Sequence, residues 1–492
     1  MWWVPVEIGQ LDLIIVGLYF VALIGVGLYA GQKVHGAEDY AVAGRQLSFP
    51  VLAGTMIGSA VGASATFGKA GKSYEIGYII LFSSLAYMLG YIVFSFIAPK
   101  LRRARLDTLP GVLQARYGVG MRVLSAVVLL LSVTAIFGTQ LIAFGVTASS
   151  LLVDANISYE QAVLVGALII VIYTLVGGLL AVAYTDLLQV IIMLIGCGIL
   201  LPWFIWSDMS STLTLAEMVR EPPSAAAEPV NWWYIFSFFP TFLTAVLIDP
   251  SIWQRAAGAR NINDLKPALW ATALFYGCWS IIVVTLGVVA YNILPALDVA
   301  DSAIPILVLQ HMPPVAKGLC LAAIMAIMMS TADSVLLISG TTFASDIVKA
   351  LKPKLKSKTE LRIARTTIVV VSVLGIVFAF GKSGIFESMM LAFAIYVSGL
   401  FVPVMAALFW SKADARAANV ATAAGVISVL TVIVGQQQGW VPTGVPSILV
   451  GLTCSAVGML LMGQLNSRDK GTTLLCEQHL QAQDQQVSPR TQ

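Results

Sequence analysis

The sequence predicts an all-α protein that crosses a membrane many times. Composition is the first observation behind this. Of 492 residues, 58% are hydrophobic and only 11% are charged, whereas soluble domains run near ~25% charged and ~45–50% apolar. The second is the grouping of the apolar residues into thirteen runs, near 11–31, 48–68, 77–99, 121–152, 158–184, 187–207, 232–250, 267–295, 315–346, 363–381, 386–410, 415–436 and 443–464. About 20 apolar residues span a bilayer as a helix. Continuous runs of this kind are unlike the ~10-residue alternation of membrane strands. The third is the placement of lysine and arginine. Alternate connections hold "KLRRAR" (100–105), "QRAAGAR" (254–260), "KALKPKLKSK" (349–358) and "SKADAR" (411–416). The other connections hold few basic residues, among them Lys69, Lys72, Arg220, Lys317 and Lys382. The positive-inside rule makes the basic side cytoplasmic. Thirteen spans then put the N-terminus outside and the C-terminus in the cytoplasm of a multi-pass plasma membrane protein.

Each run has its own reading. The first lacks a basic leader and a small-residue cleavage site, so it reads as a retained helix. The second, "SFPVLAGTMIGSAVGASATFGKAG", places Gly54, Gly58 and Gly62 at every fourth position. Two readings stay open: a small-residue face for close helix packing, or an unwound helix that turns carbonyls toward a ligand. Unwound backbone at membrane depth is tolerated where it lines a cavity or is buried in protein. Lys69 and Lys72 follow at its outer end, where they either attract an anion or, as long basic side chains do, snorkel to the interface. Residues 208–231, with "REPPSAAAEP", read as an external loop. The seventh run, "WWYIFSFFPTFLTAVLIDP", carries Pro240 mid-span and Pro250 beside Asp249, and proline removes a helix hydrogen bond. The ninth holds Ser330, Thr331 and Asp333 inside an apolar stretch, where an acid faces protein, water or an ion path. Residues 465–492 read as a disordered cytoplasmic tail. The membrane domain therefore takes residues 1–464, with no separate soluble domain.

The two interrupted runs are the second and the seventh, five apart. Transporters built from inverted repeats place discontinuous helices at corresponding positions of their halves. The repeats fall at about 48–207 and about 232–436, and an odd number of spans per repeat inverts them. Five scattered cysteines without a CxxC pattern and three distant histidines give no disulfide framework or zinc site. No phosphate loop, acid/base pair or nucleophile motif is evident. The sequence thus points away from an enzyme, a nucleic-acid partner and an obligate protein partner, and toward a lipid bilayer and a small solute.

Five segments then resemble one family, the sodium:solute symporters, which carry proline, pantothenate, glucose and sialic acid. They are "EDYAVAGRQLSFP" (38–50), "GGLLAVAYTDLLQ" (177–189), "DPSIWQRAAGARN" (249–261), "MSTADSVLLISGTTFASDI" (329–347) and "SGLFVPVMAALFWSKADARAA" (398–418). They stand in the family's order, and the likeness covers residues 11 to about 465. It implies a LeuT-like 5+5 inverted repeat with a broken first helix in each repeat. It also implies a symporter importing a small polar organic solute with co-transported sodium. Hard cations prefer oxygen ligands. The resemblance assigns them to the carbonyls of Gly58, Val61 and Ile327 and the hydroxyls of Ser330 and Thr331. Many relatives have alanine at the positions of Gly58 and Ile327, a change that carbonyl ligation tolerates. Asp186, helped by Thr185, is either on the sodium exit route or a helix cap. Asp333 is either near the ion path or solvated.

Proline carriers of the family have an acid at the position of Ala60 and tryptophan at that of Ser64. They have Trp and Tyr where Phe242 and Val246 stand. Proline is therefore not the expected cargo. The candidate solute contacts are Ser59, Ser64, Thr66, Phe137, Gln140, Phe242 and Asp249, the last either binding an amine, capping a helix or forming a salt bridge with Arg255 or Arg260. Two alternatives stay open. A proton-coupled carrier needs a titrating acid at the ion cage, and Asp186, Asp333 and Asp249 are not expected there. A transporter-like sensor appends signalling domains, for which the tail is short.

Overall fold

A computed structural model describes residues 8–32, 37–103, 108–151, 157–220, 222, 231–294, 296–381, 384–410 and 413–465. The proposed tail, from residue 466 on, and most of the proline-containing part of the 208–231 loop lie outside the described residues. Among the described residues there is no strand. The one bridge pairs Leu47 with Ala259.

Among the described residues ten helices are long and apolar enough to cross a membrane, and three shorter apolar helices, Phe49–Ala60, Tyr159–Ile172 and Ser447–Gly463, accompany them. Together they occupy all thirteen apolar runs of the sequence. We number the main helices α1 (Gln10–Gly31), α2 (Phe49–Ala60), α3 (Lys69–Ile76), α4 (Leu81–Arg103), α5 (Val119–Leu151), α6 (Tyr159–Met193), α7 (Leu201–Met209) and α8 (Trp232–Leu247). There follow α9 (Pro250–Gly258), α10 (Ile262–Ile293), α11 (Ala316–Thr341), α12 (Ser357–Ala379), α13 (Ile385–Phe409), α14 (Ala415–Gln437) and α15 (Ser447–Leu465).

Helix α11 is the axis of the molecule. It is buried along almost its whole length and packs on α1, α5, α6 and α12. That explains why it is apolar on every side: a helix hydrophobic all round is a buried one. Its first turn is held from outside, because the Asp12 carboxylate of α1 accepts the Val315 and Gly318 N–H groups, each at 2.9 Å. These are orphan donors of a helix start. At the other edge, α13, α14 and α15 pack on one another.

Both interrupted runs are broken. The first break follows α2: Val61 leaves the helix with φ −97° and ψ 66°, and a π-helical turn, Ser64–Gly68, leads into α3. The second lies at Ile248–Asp249, between α8 and α9. It is not at Pro240, which α8 runs through. Side chains satisfy the backbone that the breaks set free, as burial at membrane depth requires. Gln140 Oε1 accepts the Ala63 N–H at 3.0 Å, and Trp253 Nε1 donates to the Leu247 carbonyl at 2.9 Å.

The two readings of the glycine row are both met, at different positions. Gly54 and Gly58 give close approach to α6: an added Cβ would lie 2.7 Å from Leu187 Cδ1 or 3.1 Å from Asp186 Cβ. Gly62 sits at the break, where a Cβ would overlap Thr331 Oγ1.

Candidate functional site

The break after α2 faces the middle of α11. The Ser330 hydroxyl donates to the Gly58 carbonyl at 2.9 Å and approaches the Ile327 carbonyl at 3.3 Å. The Thr331 hydroxyl donates to the Ser59 carbonyl at 3.3 Å. Val61 ends the helical ladder, so its carbonyl is turned out of the α2 axis. Of the residues implied as sodium ligands, Gly58, Ile327, Ser330 and Thr331 are thus joined, with Ser59 as an additional carbonyl, and Val61 stands at the break itself. A helix bonded throughout has no oxygen to spare. Here a break on one helix and two adjacent hydroxyls on its neighbour supply several, in a buried setting. Such a cluster suits a small hard cation.

Behind this cluster lies a buried polar network. Asp186 Oδ2 accepts from Thr55 Oγ1 at 2.6 Å and from Arg255 Nη2 at 3.3 Å. The Arg255 guanidinium also donates to Thr55 Oγ1 at 2.8 Å and to Ser334 Oγ at 2.7 Å. Ser334 in turn donates to the Ser330 carbonyl at 2.8 Å and lies 3.0 Å from Ser59 Oγ. The Asp186 Oδ1 atom is buried and has no hydrogen-bond partner among the described residues.

Two expectations about Asp186 change. It caps no helix, because α6 runs on to Met193, and the departure from helical geometry is at Gly178 (φ 62°, ψ −176°). It is also not remote from the cage, since its carboxyl group lies against Gly58. The helix kinks at Gly178, six positions before the end of the apolar run. Thr185 turns its hydroxyl back to the Ala181 and Val182 carbonyls of its own helix, at 2.9 and 3.0 Å. Asp333 is fully buried, with Oδ1 3.4 Å from Ser334 Oγ, so it is not solvated.

A central cavity opens beside the cage. Ser59, Gly62, Ser64, Thr331, Phe242 and Asp249 all line it. Asp249 is also the cap of α9: its Oδ1 accepts the Ser251 N–H at 2.7 Å and the Ile252 N–H at 3.4 Å. It forms no ion pair with Arg255, whose partner is Asp186, or with Arg260, whose partner is Asp264. Phe242 stacks within an aromatic group, its ring 5.8 Å from Phe386 and 5.7 Å from Phe393. Thr66, Phe137 and Gln140 are not part of the lining. Thr66 accepts from Trp279 Nε1 at 3.1 Å, Phe137 packs against Gly375, and Gln140 holds the broken backbone at Ala63.

Three groups have surroundings that the sequence reading did not give. Arg255 lies in the "QR" pair of a motif already singled out, but its partner on α6 is 69 positions away. Ser334 is one turn beyond Ser330, the helical spacing that puts both on one face. Lys69 does not snorkel to an interface. It is only 1% exposed, because the stretch after the second run continues as α3, packed on α10. Lys72 does sit nearer the surface, paired with Glu75 at 2.9 Å and Glu387 at 2.8 Å.

Known proteins resemble this chain in sequence and in fold. The model of the sodium:solute symporter family matches residues 40–425. A sodium/pantothenate symporter of Escherichia coli is 27% identical over 460 residues, covering 89% of this chain and 94% of the relative. A sodium/sialic acid symporter of Aliivibrio fischeri is 26% identical over 455 residues, covering 86% and 88%. Among solved structures, a substrate-bound, outward-open Na+-coupled sialic acid symporter superposes with a TM-score of 0.74. It is 19% identical, with 93% of this chain and 98% of that one covered.

Proposed function

The chain belongs to the sodium:solute symporter family, and we propose that it imports a small polar organic solute by alternating access, with sodium bound at the α2 break. The observation that carries this reading is the meeting of the Ser330 and Thr331 hydroxyls with the Gly58 and Ser59 carbonyls. Sodium bound there takes the carbonyls of Gly58, Val61 and Ile327 and the two hydroxyls as ligands. Each hydroxyl then presents a lone pair in place of the proton it now donates. The ion ties α2 to α11 and so favours one arrangement of the cavity beside it. Solute enters that cavity, touching Ser59, Ser64, Phe242 and Asp249, and the bundle rocks to release both inward. Asp186, with one oxygen unbonded and in contact with Gly58, receives sodium on its way out.

The basic residues support an external N-terminus and a cytoplasmic C-terminus. The inverted repeats begin at the two broken helices. Counted by helices, the second closes at Phe409 and not at 436, with α14 and α15 outside it. One sodium charge crossing 100 mV contributes about 2.3 kcal/mol, which supports accumulation of roughly fifty-fold.

Proton coupling is the weaker reading. Asp186 is at the cage, but its Oδ2 atom is already engaged by the Arg255 guanidinium at 3.3 Å and by the Thr55 hydroxyl at 2.6 Å. The test is uptake by proteoliposomes of a panel of labelled solutes, with sodium or potassium outside and pH clamped. Sodium-dependent uptake at equal internal and external pH supports the proposal. Uptake that follows a proton gradient without sodium refutes it.

A further inference from the structure

We propose that Lys69 is the group that recognises the cargo, and that the cargo carries a carboxylate. This rests on the sodium-symport reading and names the chemistry of its solute site.

Lys69 stands on the first turn of α3, just past the broken backbone. Its side chain is almost fully buried, and it lines the same cavity as Ser59, Ser64 and Thr331. Its Nζ donates to Ser84 Oγ at 2.6 Å, to Tyr276 OH at 2.8 Å and to Ser280 Oγ at 3.4 Å. It also lies 4.5 Å from the centre of the Tyr276 ring. These groups orient an ammonium but do not neutralise it. Among the described residues no carboxylate lies within 4.0 Å of it, whereas the buried Arg255 has Asp186 and Lys72, nearer the surface, has Glu75 and Glu387. Asp249, the acid on the cavity wall, spends one oxygen on the Ser251 and Ile252 N–H groups.

An unpaired charge at this depth is costly and marks function more often than structure. Here the missing counter-charge has a space to occupy. A hydroxyl that accepts from an ammonium keeps its own proton to donate. Tyr276 lines the cavity together with Lys69, so its O–H, polarised by the ammonium, offers one donor, and the N–H spent on the long 3.4 Å bond to Ser280 is the one an incoming oxygen takes over. A cation and a phenolic donor side by side fit the two oxygens of a carboxylate. A single positive charge matches a monoanion better than a phosphate dianion.

The same arrangement gives a reason for coupling. With sodium at the α2 break, the cavity would hold two cations in a poorly screened setting. A carboxylate between them relieves both, so each of sodium and solute binds better when the other is present, and reciprocally so.

The test uses the full chain purified in detergent, with thermal stabilisation as the binding readout. Matched pairs of small carboxylates and their primary amides, with and without an α-amino group, are titrated in sodium and in potassium. At least one carboxylate should stabilise the sodium-loaded chain, and its amide should bind at least tenfold more weakly. Lys69→Met should lose at least tenfold in carboxylate affinity while stabilisation by sodium alone stays; Lys69→Arg should keep part of the carboxylate affinity. Amides that bind as well as their acids, a Lys69→Met chain with undiminished carboxylate affinity, or failure of every carboxylate in the panel would overturn the proposal. Loss of stabilisation by sodium alone in the wild-type chain counts against the ion site instead, which keeps the two readings separable. The comparison of acid with amide needs no variant, so it stands even if Lys69→Met does not fold.

Discussion

At the scale of single residues, the site turns on which oxygens are free. Ser330 and Thr331 are ordinary helix residues by type. In most helices such hydroxyls bond back to their own carbonyls, as Thr185 and Thr341 do here. Ser330 keeps such a bond, to Ile327, but it and Thr331 also reach carbonyls of a neighbouring helix that ends opposite them. The sequence marked both, and the resemblance named Gly58 and Ile327 but not Ser59. Asp186 was marked as well, but its neighbours were not legible, since Thr55 and Arg255 stand 131 and 69 positions away. Distances along the chain carry no signal in a single sequence. Asp186→Asn removes the counter-charge of a buried arginine. Breaking such a pair from one side costs about 3–5 kcal/mol, softened here by the Thr55 and Ser334 bonds to Arg255. We expect a lowered melting temperature and at least a tenfold loss of turnover in a sodium-driven uptake assay. Wild-type turnover in the Asn variant would leave Asp186 a purely structural partner of Arg255.

At the scale of elements, the two breaks decide the architecture, and the sequence located both runs correctly. In the second of these runs it named two prolines, Pro240 mid-span and Pro250 beside Asp249, and the break lies at the latter. Helix α8 passes through Pro240 and ends at Leu247. Pro240 lacks the N–H that the Phe236 carbonyl would accept, and the helix continues past it. The glycines of α2 can be told apart by experiment. A methyl at Gly62 would collide with Thr331 Oγ1, whereas one at Gly58 meets Asp186 Cβ at 3.1 Å and needs only a small shift. Gly62→Ala should therefore abolish sodium-dependent stabilisation, and Gly58→Ala should keep it within about threefold, a difference near 0.6 kcal/mol. Equal behaviour of the two would remove the special role of the break. A further element-level contact lies outside the spans, where Asp301 Oδ2 accepts the Ile385 N–H at 2.8 Å and so holds the start of α13. Burial pushes the Asp301 carboxyl up to about 7, with the Ile385 N–H opposing. A carboxyl raised in the folded state binds its proton more tightly there than in the unfolded chain. Stability from this group is therefore full at low pH and is lost as pH rises from about 4 to about 7. Asp301→Asn should flatten that part of the stability profile, measured by thermal melts from pH 5 to 8. An unchanged slope would show that another group sets it.

At the scale of the whole molecule, span number, helical class and internal symmetry were legible because lipid imposes a coarse code: length, apolarity and the side of the charges. The interior of the bundle was less so. Lys69 read as a surface lysine because it follows an apolar run, and only the packing of α3 on α10 reveals it as a wall of the cavity. Thr66, Phe137 and Gln140 faced the right region but serve the packing around the break. Apolar pattern tells buried from exposed, and inside a bundle almost everything is buried. The account as a whole stands on sodium held between α2 and α11. The most direct measurement is a sodium titration of the purified chain against a constant potassium background, followed by radiolabelled sodium binding or thermal stabilisation, for wild type, Ser330→Ala and Thr331→Ala. Removing one oxygen ligand from a desolvated cation costs about 1.5–3 kcal/mol, so each variant should need roughly ten- to a hundredfold more sodium for half-saturation. Sodium binding of undiminished affinity in both variants would contradict the account.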